Sequence, residues 1–531
     1  VPQRDDVRVA QVMSSPIDRP VSAAVGAPIS APVNYRVAGH VFWSGLEAGT
    51  AAGLSFVSAF IVARLIGPAE VGIAAAAVSV HVMLWVTVNA LFADAIVQRA
   101  SLDDRVMANA IWASTAAGVV AAAIQIAAGP LLGALLTDPR LPAMSALLAL
   151  PLPLVGAGGA MQGMLTRDRN YRALAGRTLI GQGLGTLAGI AAALACAGAW
   201  ALVLQQMVSA TAGALALLLR ANWCPSPQGR SLMRALRRPN PRAVRELLAL
   251  GLPLTASTLV QLGRYRLFVL VIGATAGAAP LGEVHMAFSP VDTVHERVFT
   301  ALWGLMLPAM SARQQELATL RRVMDHCLGL AALVVLPLLG MMAVMIMPLT
   351  RLLLGPARVE VGPAALPLIA LTTWLILWFP AGAALIAKGT PGPALAANIA
   401  AVIAILVGVA VVRPATPAQA MAAWLVAQLV TSPYTIMMSA RVLRIGRLAP
   451  IRAGRPALAT AASAVAMALL LPWLFGEPRG PLGLMAARLA AGAPICLLGL
   501  AWCLARLGLL NRLAPLIRRR RPIDMLDAEL R

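Results

Sequence analysis

Gly67-Pro68-Ala69-Glu70-Val71-Gly72 and Gly277-Ala278-Ala279-Pro280-Leu281-Gly282 are two six-residue turns of one pattern, 210 residues apart. Each has Gly at both ends and Pro inside, and each separates one apolar stretch from the next. Proline presets a turn and glycine supplies the backbone conformations that a tight reversal needs. Working outward from these turns, fourteen apolar stretches fall near 41–63, 71–93, 106–132, 142–165, 174–197, 199–219, 247–273, 283–309, 323–347, 361–387, 393–412, 418–440, 456–475 and 484–505. A helix of about 20 apolar residues crosses a bilayer. The pattern therefore predicts an all-α, polytopic integral membrane protein with about 14 transmembrane helices. The matching turns join stretches one and two, and stretches seven and eight. They predict two six-helix lobes in tandem, followed by two C-terminal helices. Parallel repeats of this kind occur in transporters, whose cargo sites lie between the repeats near the bilayer midplane.

Composition agrees. The chain has 531 residues, 60% hydrophobic and 12% charged, with a mean hydropathy of +0.80. Soluble domains carry about 25% charged residues, and a soluble chain this apolar would expose large aggregating patches. Most soluble enzyme classes are excluded. Cys196, Cys224, Cys327, Cys496 and Cys503 are scattered, with no Cys-x-x-Cys, so neither a disulfide framework nor a zinc site follows. There is no His-Glu-x-x-His and no Gly-x-Ser-x-Gly. The one lysine, in Ala387-Lys388-Gly389, lacks the Gly-rich turn and following Ser/Thr of a P-loop. No metal, no cofactor and no ATP-driven chemistry are expected.

The formal net charge is +22. In a soluble protein that would suggest nucleic acid; here its distribution argues for topology. With the N-terminus inside and the sides alternating, 33 basic residues fall on cytoplasmic segments, 6 on outside segments and 4 (Arg264, Arg266, Arg297 and Arg488) within spans. Cytoplasmic enrichment of Lys and Arg sets membrane orientation, so the chain is expected to run N-in/C-in. Anionic lipids are expected against the arginine fringe, including Arg518 to Arg521, and no nucleic acid. The expected organisation is a disordered cytoplasmic tail (1–36), an N-lobe (37–220), a basic loop (221–246), a C-lobe (247–441), two additional spans (442–510) and a basic cytoplasmic tail (511–531). No apolar core follows the first arginines, so the tail does not read as a signal peptide. No extramembrane segment is long enough to fold alone, which places function in the bundle.

Several segments resemble a known family. Arg64-Leu65-Ile66-Gly67-Pro68-Ala69-Glu70-Val71-Gly72 resembles the Arg-Leu-Leu-Gly-Pro-x-x-Phe/Tyr-Gly turn after the first helix of Wzx-type oligosaccharide flippases. These belong to the multidrug/oligosaccharidyl-lipid/polysaccharide (MOP) exporter superfamily. Ala95-Ile96-Val97-Gln98-Arg99, Gly251-Leu252-Pro253-Leu254, Leu307-Pro308-Ala309-Met310-Ser311, and Leu354-Gly355-Pro356 followed by Ala364-Ala365-Leu366-Pro367-Leu368 resemble later segments of that family in order. The likeness runs from about residue 38 to about 445. It implies a non-enzymatic transporter of the bacterial inner membrane, with two lobes around a central cavity and alternating access. The implied cargo is a polyprenyl-pyrophosphate-linked oligosaccharide destined for exopolysaccharide or O-antigen-type assembly. A polysaccharide polymerase and export machinery are implied partners. The family often has Asp-Arg where this chain has Tyr265-Arg266, which weakens any cation site there, and Val71 stands at an aromatic position. A cation-coupled small-molecule exporter or a lipid II flippase of the same superfamily remain open, as does a membrane polymerase or glycosyltransferase. The short outside loops argue against the enzyme.

Charges inside spans are functional candidates, because they are costly unless they face a cavity or a partner. Stretch seven carries Arg264 and Arg266, and stretch eight carries His285, Asp292, Glu296 and Arg297. Arg264 lies 13 residues beyond Gly251, and Glu296 lies 13 beyond Glu283. At 1.5 Å per residue each is about 20 Å into its helix, near midplane. Two readings stand side by side: a polar cavity wall whose arginines hold pyrophosphate, or ion pairs that lock two helices. Glu47, Asn89 and Asp94 are candidates for the same cavity. His81 reads as a satisfied bundle histidine, and Trp374 and Trp378 as a packing or interface pair.

Overall fold

The computed structural model describes residues 49–50, 53–55, 58, 60–98, 104–168, 170–220, 240–311, 315–355, 361–388, 392–414, 416–446, 448–476 and 480–506. Among them there is no strand. The helices are α1 (Gly53–Ile66), α2 (Pro68–Gln98), α3 (Asp104–Leu136), α4 (Leu141–Ala149), α5 (Leu152–Arg167), α6 (Tyr171–Leu194), α7 (Trp200–Arg220), α8 (Pro241–Ala276), α9 (Ala278–Ser311), α10 (Leu317–Leu354), α11 (Val361–Ala387), α12 (Gly392–Val412), α13 (Pro417–Leu443), α14 (Ala449–Phe475) and α15 (Pro481–Arg506). Nine helical stretches among the described residues are long and apolar enough to cross a membrane, with α4 and α5 counted as one stretch, Leu141–Arg167. The chain is a multi-pass membrane protein.

The helices begin where the sequence punctuates them. Gly67 and Gly277 adopt the same left-handed conformation, φ 85° and 86°, so the two turns match in backbone as well as in sequence. Asn170 caps α6 by accepting from the Ala173 amide at 3.2 Å. Thr416 and Gln419 form a reciprocal capping box on α13. The expected fourth stretch divides into α4 and α5, with Pro151 at the junction and Pro153 in the first turn of α5. Proline is tolerated there because first-turn amides have no helical acceptor. Several helices outrun their apolar cores. Residues 323–347 read as apolar, yet α10 starts at Leu317 and takes in Arg321 and Arg322. Backbone hydrogen bonding carries the helix past the apolar stretch.

Proline inside α10 creates a polar demand that another helix meets. Pro348 has no N–H for the Val344 carbonyl one turn earlier. The Arg488 guanidinium of α15 donates to that oxygen at 2.7 Å. An orphaned carbonyl in a membrane interior needs such a partner, so the arginine and the proline account for each other.

α2 packs on α3 and α5, α3 on α4 and α5, and α6 on α7. In the second half α11 packs on α9, α10 and α13, and α12 packs on α8 and α13. α14 and α15 pair with each other and lie against α10. The halves meet chiefly where α2 lies on α8 and α9. There the two matching turns touch. A Cβ on Gly72 would overlap the Ala278 carbonyl and lie 2.9 Å from the Gly282 nitrogen. A Cβ on Gly282 would overlap the Pro68 carbonyl and lie 2.9 Å from the Gly72 nitrogen. Small residues let membrane helices come this close. Rows of large apolar side chains, such as Ile399, Ile403, Val407 and Val411 on α12, stay exposed and suit a lipid-facing surface.

Candidate functional site

α2, α5, α6 and α7, all in the first half of the chain, line an open cavity of about 520 Å³, a volume within the usual range of about 300–1,000 Å³ for small-molecule sites. Glycines make the room: Gly158, Gly181 and Gly213 all line it. A Cβ on Gly181 would lie 2.9 Å from the Ser209 carbonyl oxygen, so α6 and α7 run nearly in backbone contact beside the space. The polar lining is mostly uncharged, with Asn89, Gln162, Gln182 and Gln206 as amides and Thr166, Thr178 and Ser209 as hydroxyls. Trp85 adds one aromatic face. Arg177 is the single charged residue among the described lining, and its guanidinium donates to the Gln162 amide oxygen across the α5–α6 gap. The hydroxyls of Thr166 and Thr178 donate back to carbonyls of their own helices, at 2.8 and 3.2 Å.

At one rim of these helices three turns are tied together. Arg140 makes a bidentate pair with Glu70 at 2.9 and 3.0 Å and a further bond to Asp138 at 2.8 Å. Glu70 also accepts from the Ala199 amide at 2.6 Å. Hydrogen bonding from Arg140 holds the Asp138 carboxyl below the usual aspartate range, against the opposing effect of burial.

The charges on α8 and α9 are built differently. The Tyr265 hydroxyl and His285 Nδ1 share a hydrogen bond of 2.7 Å that joins the two helices. The Tyr265 ring stacks on Phe288 at 3.6 Å. Trp424 of α13 packs edge-on against Phe268 at 4.7 Å. Arg266 places its guanidinium carbon 5.1 Å from the Tyr265 ring centre, a cation–π arrangement. The position where the family often has an acid thus holds an aromatic that contacts both neighbouring candidates. His285 and Ser289 line a small void between the halves, about 40 Å³, with Phe60, Val71 and Leu354 around them. Arg264 and Asp292 are partly buried on the same helix pair. Glu47 lies outside the described residues, as do the side chains of Asp94, Glu296 and Arg297. Among the described residues no cluster of three metal-ligating side chains occurs.

Sequence reasoning named Asn89 but missed the rest of the cavity. Arg177 in particular reads from sequence as one of the 33 basic residues of the cytoplasmic fringe. A usable signal was present: Gln162, Gln182 and the Gln205-Gln206 pair interrupt three successive apolar stretches. His81 is fully buried, as expected, but neither ring nitrogen has a hydrogen-bond partner. Trp374 donates to Ser432 at 3.0 Å and Trp378 is buried, so that pair packs.

The sequence model of a family described as polysaccharide biosynthesis protein matches residues 61–361, more than half of the chain and every helix that lines the cavity. The chain belongs to that family. The chain is also 31% identical over 175 residues to the succinoglycan biosynthesis transport protein ExoT of Rhizobium meliloti (strain 1021). The aligned part is 33% of this chain and 35% of ExoT, so it spans about a third of that relative. Among solved structures, the lipid II flippase MurJ in an inward closed conformation superposes with a TM-score of 0.67 at 9% identity, covering 87% of this chain and 99% of MurJ. An inward-facing multidrug resistance MATE transporter of the MOP superfamily superposes with a TM-score of 0.55 at 14% identity, covering 76% of this chain and 99% of that one. At such identities these likenesses establish the fold: the protein shares the all-helical architecture of those two structures.

Proposed function

We propose that the protein flips a polyprenyl-pyrophosphate-linked oligosaccharide from the cytoplasmic to the outer leaflet of the bacterial inner membrane by alternating access, for surface polysaccharide export. The observation that carries this reading is the chemistry of the cavity. Amide groups donate and accept at once, which matches sugar hydroxyls. Arg177 adds a charge-assisted donor for an anionic group, and Trp85 a face for a sugar ring. No acidic side chain stands among the described lining, which disfavours a cationic drug as cargo. Membership of a polysaccharide biosynthesis family supports the saccharide. The fold shared with a protein named as a lipid II flippase fits a lipid-linked carrier. On this reading the in-span arginines Arg264, Arg266 and Arg297 are the candidates to hold the pyrophosphate by charge-assisted bonds, and the acids Asp292, Glu296, Glu47 and Asp94, with His285, are the candidates to titrate or to bind a coupling cation. Anionic lipids and a polysaccharide polymerase are the expected partners.

The test is transport of the lipid-linked repeat unit in membranes carrying correctly inserted variants. Arg177→Ala should lower flux about tenfold, the effect of losing one charge-assisted bond of about 1.4 kcal/mol. Arg177→Lys should retain part of it. Wild-type flux in both variants would sink the role of the cavity. Normal periplasmic arrival of repeat units after deletion of the whole gene would sink the flippase assignment itself.

A further inference from the structure

The halves are closed against each other at two levels, and both closures use α2. Near its start Gly72 lies on α9 through the reciprocal contact with Gly282. Near its other end Leu91 lies under α8, where a Cβ on Gly251 would overlap the Leu91 carbonyl oxygen and lie 3.0 Å from its carbon. Gly72 and Leu91 are 19 residues apart. At 1.5 Å per residue that is about 28 Å of helix, close to the roughly 30 Å thickness of a bilayer's hydrocarbon core. The two contacts are thus spaced along α2 by about the thickness of a bilayer's hydrocarbon core. Between them α2 contributes Val82, Trp85 and Asn89 to the cavity. Between them, too, a Cβ on Gly263 of α8 would meet the Met83 Cε of α2 at 3.7 Å, an ordinary contact.

The two closures share a construction. In each, the nearest neighbours of the absent Cβ are backbone atoms. A flexible side chain can swing aside for an added methyl group, whereas a helix backbone moves only as a whole. We propose that Gly72–Gly282 and Gly251–Leu91 are the two gates of the transport cycle, each sealed backbone to backbone, with α2 the arm common to both. An added methyl at either contact props the halves apart at that face and leaves the other face sealed.

The experiment reads access to the cavity, independently of what the cargo is. Ser209→Cys is introduced into full-length protein whose five native cysteines have been replaced. A membrane-impermeant maleimide is then applied to right-side-out and to inside-out vesicles. Gly72→Ala and Gly282→Ala should each raise labelling from one face only, and Gly251→Ala from the opposite face only. The expected rise is about tenfold, equivalent to about 1.4 kcal/mol in the open-to-closed ratio. Combining Gly72→Ala with Gly282→Ala should add little to either alone, because both act on one contact. Gly183→Ala, a position with nothing within 4 Å, should leave labelling unchanged. Unchanged labelling in the inserted gate variants, or a rise from the same face for all three, overturns the proposal. A second measurement keeps every glycine. Ala69→Cys and Ala279→Cys, at exposed sites beside the first contact, are joined with a short thiol cross-linker. Cross-linking should stop flux; undiminished flux in cross-linked protein overturns the assignment of that gate.

Discussion

If Arg488 sits in the membrane to satisfy a carbonyl that Pro348 leaves open, its importance must shrink when the proline is removed. The Arg488 guanidinium reaches the Val344 oxygen at 2.7 Å. A hydrogen bond to a charged group contributes about 1.5–3 kcal/mol, and an unmet carbonyl costs about 1–3 kcal/mol. Membrane proteins return less than these figures, with interhelical bonds averaging about 0.6 kcal/mol in double-mutant cycles. Arg488→Ala is therefore expected to destabilise the fold by about 2 kcal/mol. Pro348→Ala restores the amide that closes the α10 helix onto Val344, and should be neutral or slightly stabilising by itself. In Pro348→Ala protein, Arg488→Ala should then cost about 1 kcal/mol less than in the native background. The measurement is equilibrium unfolding of the four proteins in mixed detergent micelles, titrated with dodecyl sulfate and followed by tryptophan fluorescence. Effects that add to within about 0.3–0.5 kcal/mol would refute the reasoning. Arg488 would then be held for a reason unconnected with the broken helix.

Two further perturbations follow from the site geometry. Tyr265→Phe removes the bond to His285 but keeps the stack on Phe288. It should cost about 1 kcal/mol in the same unfolding assay, whereas Tyr265→Ala, which also empties the space, should cost about 3–5 kcal/mol. Near-equal costs would show that the ring contributes nothing beyond its hydroxyl. Asp138→Asn tests the tie at the rim. Arg140 depresses the carboxyl's folded-state pKa, so the unfolded chain binds the proton more readily. The stabilisation is complete above the unfolded aspartate value of about 3.9 and is lost as pH falls through the lower folded value. The native protein should exceed Asp138→Asn by about 1 kcal/mol at neutral pH, with the gap narrowing only below about pH 4. A constant gap down to pH 3 would remove the carboxylate from the explanation.

The fold was legible where physics acts locally along the chain. Long apolar runs, Gly-Pro turns and an asymmetric arginine distribution each report on neighbours in sequence. The helices and the matching turns at residues 67 and 277 came directly from them. The cavity was not legible, because it is a property of four helices at once. Gly158, Gly181 and Gly213 look like ordinary membrane-helix glycines until they are found facing one space. Arg177 shows the limit of charge counting: near the start of a helix it reads as an anchor, and only the position of Gln162 on another helix shows it directed inward. Tyr265 read as the loss of an acid. What it gains, a bond to His285 twenty residues away and a stack on Phe288, depends on how α8 lies against α9. The break between α4 and α5 lay in between: Pro151 and Pro153 were visible, but an apolar run containing prolines is compatible with either a kink or a stop.

The contact between Gly72 and Gly282 joins residues that hold the same place in the two matching turns. Pro68 and Ala278, whose carbonyls they meet, also share one place. A surface that binds its own counterpart in this way is self-complementary, as are the isologous interfaces of two-fold homodimers. A chain carrying only one of the halves would bear the same patch, with its complement on a second copy of itself. The patch that now closes the protein within one chain is thus of the kind that would let two half-length chains assemble into the same seam.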